Sequence, residues 1–208
     1  MVTTTTDEPM DRRIAHLALA RFRITGFAGT SIADLASTLG ISKAAIYYHY
    51  RSKDALLHHL IDPLLDAIDT CIHHHPTPRH LLDAYLAVLL THREAVPLIT
   101  TDPAVLHHPT IGPRLQAQHQ QLHCLLAAPN TTLAASLRAE AALGAIRRPL
   151  IAEPQLDLTD PAHQHILIDA AAATLQPSQP TPNGTPLPGP PSNPHTESPD
   201  QEGGTTCG

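Results

Sequence analysis

Lys43, Ala44, Tyr47 and Tyr48 fall at i, i+1, i+4 and i+5 of a short segment that follows Gly40-Ile41-Ser42. On a helix these four side chains share one face, while Ala45, Ile46 and Tyr50 take the other. Two tyrosines beside a lysine and a small residue make an unusual solvent face. Their chemistry suits the major groove of DNA: alanine permits close approach, lysine donates to guanine or phosphate, and tyrosine offers a hydroxyl and an apolar edge. Thr30 and Ser31 stand where a preceding short helix would begin, a ready anion site for a backbone phosphate. Lys53 opens the helix that follows and can serve the same end.

Other chemistries are less well supported. Among 16 histidines, His119 and His123 stand i, i+4 with Cys124 adjacent, a pair that could ligate zinc. No third ligand is fixed by spacing. His58-His59, His73-His74-His75, His107-His108 and His163/His165 show that histidine is frequent throughout, so surface and cap roles are expected and no metal site is assigned. GxSxG, HExxH, GxxxxGK[ST] and GxGxxG are all absent, and no catalytic residues and no cofactor are expected.

The elements that must hold these residues read as helices throughout. Ile14, Leu17, Ala18, Arg21 and Phe22 form an amphipathic stripe that Gly26 should stop. Ser31 and Asp34 have capping-box spacing for a short helix ending at Gly40, and Ser42 caps the next, Lys43 to Tyr50. Joined by Gly40-Ile41-Ser42, the two make a helix-turn-helix. Ser52 caps a long helix striped by Leu57, Leu60, Ile61, Leu64, Leu65, Ile68 and Ile72, which Pro63 should kink. A fifth helix is expected from about Pro78 to Ile99. Pro103, Pro109 and Pro113 cut the next stretch into a short helix and a restart, Gly112 to Ala127. The alanine-rich segments Thr131 to about Arg148 and Pro161 to Leu175 complete the set.

Composition sets the frame. The chain has 208 residues, 15% charged and 3% aromatic, so its core must be built from Leu, Ile and Ala. The net charge of -6 is uneven: the only lysines are Lys43 and Lys53, and residues 1–61 are net basic while the remainder is strongly acidic. No apolar run approaches the ~18 residues of a membrane span, and the N-terminus lacks an apolar leader. Three cysteines without a CxxC argue against a disulfide framework. A soluble, cytoplasmic protein with no membrane partner is expected. The proline- and glycine-rich residues 176–208 read as a disordered tail.

Ala20-Arg-Phe22, Gly26-Phe27, Thr30-Ser-Ile-Ala-Asp-Leu-Ala36, Gly40-Ile-Ser-Lys-Ala-Ala-Ile-Tyr-Tyr-His-Tyr50 and Arg51-Ser-Lys-Asp-Ala-Leu-Leu57 resemble the N-terminal domain of TetR-family transcriptional regulators. The family often has Gly or Pro where Ala44 stands, and Phe or Val where Tyr50 stands. The resemblance implies base-edge contacts from Lys43, Ala44, Tyr47 and Tyr48. It implies phosphate contacts from Thr30, Ser31, Tyr47, His49 and Lys53. It also implies an all-α protein of about nine helices. A helix-turn-helix DNA-binding domain (1–50) would precede a helical regulatory and dimerisation domain (51–175). The function implied is a homodimeric repressor that leaves a pseudo-palindromic double-stranded operator when a small apolar or amphipathic effector binds. Leu64, Ile68, Tyr85, Leu89, Leu122 and Leu126 are the candidate pocket residues. The alternatives are a metal-sensing repressor using His119, His123 and Cys124, and an effector-less DNA-binding dimer.

Overall fold

The computed structural model describes residues 8–74, 77–130, 132–152 and 157–176. The tail expected to be disordered lies, beyond residue 176, outside the described residues, as does His75. The described residues form ten helices and no strand: α1 Met10–Gly29, α2 Ile32–Leu39, α3 Lys43–His49, α4 Lys53–His73, α5 Pro78–Thr91, α6 Val96–Thr101, α7 Pro103–Leu106, α8 Ile111–Ala127, α9 Leu133–Ala152 and α10 Pro161–Leu175.

Local sequence fixes most of the boundaries. Ser31, Ser42, Ser52, Thr77, Asp102 and Asp160 each accept a backbone N–H at a helix start, satisfying donors that have no partner within the helix. Gly26 interrupts α1 with φ 77° and ψ 161°, a conformation that glycine reaches without steric cost. The helix expected from Pro78 to Ile99 is instead two, because α5 stops at Thr91 and α6 restarts at Val96. Pro97 is the cause. It has no N–H for the carbonyl of Arg93 and its ring would clash with the preceding turn, whereas in the first turn of α6 neither matters. Pro63 does not interrupt α4, which continues to His73. Its ring is exposed and so is His59, whose carbonyl it leaves without a helical donor, so water can take that role. Likewise α9 runs through Pro149 to Ala152, past the end expected at Arg148.

One continuous apolar core runs from Ile14 in α1 to Ala171 in α10. The long helix α4 is its axis, with Leu56, Leu57, Ile61, Leu64 and Leu65 fully buried. Each such side chain contributes roughly 1.5–3 kcal/mol relative to an exposed one. α4 packs against α1, α5 and α8, while α10 packs against α9 and α5. The N-terminal helices therefore share a core with the helices that follow: α1 touches α6 and α7 as well as α4. Among the described residues, no helix is long and apolar enough to cross a membrane.

Candidate nucleic-acid interface and the cavity behind it

The α2–α3 pair is built from local rules. At the start of α2, Ser31 Oγ accepts the N–H of Asp34 at 3.1 Å, and the Asp34 carboxylate accepts the N–H of Ser31 at 3.2 Å and its hydroxyl at 2.7 Å. These bonds hold the Asp34 carboxyl below its ordinary pKa. Gly40, at φ 66° and ψ 30°, closes α2 in the left-handed region and lets Ile41 N–H reach Ala36 O at 3.0 Å. Ser42 then starts α3 by accepting Ala45 N–H at 3.1 Å.

Two residues anchor the inner face of α3. Ile46 is fully buried, and Tyr50 is buried with its hydroxyl donating to the carbonyl of Asp11 at 3.1 Å. The outer face carries Lys43, Ala44, Tyr47, Tyr48 and His49, all exposed. Tyr48 is 86% exposed, and its ring meets that of His49 edge-on at 5.2 Å. This helix presents aromatic and cationic groups to solvent at the spacing expected from sequence.

The other three residues singled out as phosphate contacts are placed differently. Ser31 is exposed, but its hydroxyl already serves the capping box and Asp34 puts a carboxylate beside it. Thr30 is only 3% exposed; its hydroxyl donates to Gly26 O at 2.9 Å and lies 2.8 Å from Thr25 Oγ1. Lys53 Nζ donates to the carbonyls of Phe27 at 2.8 Å and Thr30 at 3.0 Å and sits 4.3 Å from the centre of the Phe27 ring. A cation on the last carbonyls of α1 is favourable, and it ties the start of α4 to the end of α1.

Residues 14–60 match the sequence profile described as "Bacterial regulatory proteins, tetR family". This stretch belongs to the tetR family. Its match includes the whole of α2, α3 and their turn. The TetR-family stretch is 49% identical over 45 residues to an uncharacterized HTH-type transcriptional regulator, YerO, of Bacillus subtilis, covering 22% of this chain and 16% of that one. It is 42% identical over 62 residues to the HTH-type transcriptional regulator EthR of Mycolicibacterium smegmatis, covering 29% of each. The chain thus spans less than a third of these two relatives' lengths. The TetR fold extends further than the sequence match. A TetR-family member from Streptomyces coelicolor superposes with a TM-score of 0.66 at 21% identity, covering 84% of this chain and 92% of that one. The ketosteroid transcriptional regulator KstR2 of Mycobacterium tuberculosis gives 0.61 at 20% identity, covering 83% and 97%. At such identities the likeness is one of fold.

Behind the TetR-family stretch lies a cavity of about 750 Å³ among α4, α5, α8, α9 and the α6–α7 segment. Of the residues expected to form a pocket, Ile68, Tyr85 and Leu122 line it. Leu64, Leu89 and Leu126 do not; they are buried in the packing between helices. The polar wall was not foreseen. It includes Gln116, Gln118 and His119 of α8 and Arg147 of α9, with Thr100, His107 and His108 from the α6–α7 segment. Arg147 directly follows Ile146 on the buried face of a helix that also buries Ala139, Ala142 and Leu143, and a cation at such a position is the signal that could have found it.

His119 and His123 both approach Glu140, at 2.9 and 3.9 Å through Nε2, while Cys124 is exposed on another side of α8. The set His119, His123 and Cys124 is therefore not gathered around one point. Among the described residues, no group of three or more His, Cys, Asp or Glu is placed to hold a metal ion.

Proposed function

We propose that the chain is a cytoplasmic, homodimeric transcriptional repressor that reads a pseudo-palindromic operator with α3 and leaves it when a small molecule fills the cavity. The observation that carries this reading is the exposed face Lys43-Ala44-Tyr47-Tyr48 on a helix locked from behind by Ile46 and Tyr50, within a tetR-family stretch. Regulators named among the relatives support it. Residues 1–50 act as the DNA-binding head and 51–175 as the regulatory body. Tyr47 and His49 serve the phosphates; Thr30, Ser31 and Lys53 would do so only by giving up the partners they hold here.

Dimerisation is assigned to α9 and α10. Leu133 and Leu137 on α9 and Ile166 on α10 are 76%, 61% and 63% exposed, at turn spacing with exposed Ala141, Gly144, Ala170 and Ala173. Small residues between large apolar ones allow close helix approach. A two-fold pairing of this face would present two α3 helices to successive major grooves.

The route from cavity to head passes through Phe27. His108 lines the cavity and its ring stands edge-on to Phe27 at 6.1 Å. The α6–α7 segment that forms one cavity wall also holds Asp102, which accepts the Phe27 N–H. Lys53, at the root of α4, holds the Phe27 carbonyl. An occupant that moves the α6–α7 wall acts on all three, and a useful response needs a coupling of only ~1–3 kcal/mol.

Selection of bound duplexes from a random pool tests the reading. An enriched inverted repeat, released by at least one member of a compound panel, is the expected outcome. Failure to enrich any sequence from duplex DNA would overturn it.

A further inference from the structure

Among the described residues, Arg147 is the only Lys, Arg, Asp or Glu that lines the cavity. A guanidinium has five N–H donors. Here Nε donates to the Tyr85 hydroxyl at 2.8 Å and Nη2 to His119 Nδ1 at 3.1 Å. Neither partner is an anion. Burial raises the Tyr85 pKa, so its hydroxyl stays neutral. Because arginine can only donate, His119 Nδ1 must be the acceptor, which places the ring proton on Nε2, 2.9 Å from Glu140. His119 thereby stands between Arg147 and Glu140, and Glu140 does not line the cavity. No carboxylate pairs with Arg147 among the described residues, although Arg79 and Arg114 are each paired with aspartates.

A half-buried cation without a counterion is costly unless an anion joins it. The remaining donors of Arg147 form the planar fork that a carboxylate accepts in bidentate fashion. The lining is otherwise mixed: Ile68, Ile99, Leu106, Leu115, Leu122 and Ile151 supply its apolar part, and Thr100, His107, His108 and Gln116 add uncharged polar groups. A second polar group lies at the floor. Gln118 Nε2 donates to Leu65 O at 2.8 Å and to Asp69 Oδ1 at 2.6 Å, so its amide orientation is fixed by two acceptors. Its Oε1 is buried with no partner. An occupant carrying a donor, reaching Oε1 past the side chains that now cover it, would relieve this orphan.

We propose that the cavity binds an amphipathic carboxylate, the anion paired with Arg147 and the hydrocarbon laid along the α4–α8 wall. This rests on the reading of the cavity as an effector site, and narrows the effector to organic acids over neutral or cationic molecules of the same shape.

The test measures binding in the absence of DNA, by calorimetric titration of the full chain with decanoate, decanol and decylamine. Decanoate is expected to bind about tenfold or more tightly than decanol, the worth of one charge-assisted pair, and decylamine more weakly than either. Arg147→Gln should bring decanoate down to the affinity of decanol while decanol binding is kept, which also shows that the cavity has survived. Arg147→Lys keeps a point charge and should retain part of the preference, a check that does not depend on Arg147→Gln folding. Equal binding of acid and alcohol by the parent, binding of neither, or an undiminished preference in Arg147→Gln would overturn the proposal. A separate operator titration with decanoate distinguishes the two readings. Binding without release leaves the acid site standing and removes its regulatory role.

Discussion

The Asp102 carboxylate, at the N-terminus of α7, accepts the backbone N–H of Phe27 at 2.6 Å across 75 positions of the chain. Its other oxygen accepts Ala104 N–H at 2.9 Å and so caps α7. One side chain therefore starts a helix of the cavity wall and satisfies the amide that follows the break in α1. Gly26 makes this possible through its backbone: its φ of 77° is strained for any other residue, whereas a Cβ there would meet Asp102 Oδ2 at an ordinary contact distance of 3.5 Å. Asp102→Asn can keep only one of the two bonds. The expected loss is about 1–3 kcal/mol of stability, the cost of an orphaned buried amide, together with weaker effector-driven release. Chemical denaturation and a release titration check the two parts.

Lys53→Met should lower the melting temperature, because the Phe27 and Thr30 carbonyls lose their cation and α4 loses its tie to α1. Thermal unfolding followed by circular dichroism reads this directly. Melting identical to the parent would show that the clamp contributes nothing.

Tyr47→Phe tests the outer face without touching the core. The Tyr47 hydroxyl has no partner among the described residues and its ring is half-exposed. Melting and dimerisation should be unchanged while operator affinity falls. Lys43→Ala should likewise fold normally and make the salt dependence of binding shallower by about one unit. Filter binding across a salt series measures both.

The acid response of the body has an identified source. Burial alone would raise the Asp69 pKa, but hydrogen bonds from Arg114 and Gln118, with the charge of Arg114, outweigh it and hold the carboxyl below its ordinary value. A depressed carboxyl stabilises the fold above its unfolded-state pKa, and that contribution is lost as pH falls through the lower, folded-state value. Asp69→Asn should therefore flatten the fall in stability below the ordinary carboxylate range and leave the curve near neutrality parallel to the parent's. Denaturant midpoints across that pH range decide it.

The helix-turn-helix was legible because it is made of local rules. Ser31-Asp34, Gly40 and Ser42 specify caps and a turn over a few residues, and helical periodicity then sorts Ile46 and Tyr50 inward and Tyr47 and Tyr48 outward. The break at residues 92–95 was missed: Pro97 carried the signal, but the apolar run through Leu89, Leu90, Val96 and Leu98 concealed it. What could not be read was tertiary. Nothing near Lys53 in the sequence says that its ammonium turns back to Phe27, and nothing near Asp102 says that it reaches the same residue. The pocket expectations that missed, Leu64, Leu89 and Leu126, did so for a similar reason. Leu64 and Ile68 lie on one stripe of α4, yet only Ile68 reaches the void, since the wall is completed by α8 and α9 from elsewhere in the chain.

The central claim is that the outer face of α3 reads DNA. The most direct measurement compares affinity for the selected duplex with affinity for a scrambled one, for the parent and for a Lys43→Ala/Tyr47→Phe double variant, at one salt concentration. The parent should favour the selected site by a factor of 10³ or more, roughly the lower bound of specific recognition. The double variant should lose most of that ratio while its melting and its dimer remain those of the parent. A double variant that discriminates as well as the parent would contradict the assignment of α3 as the recognition helix.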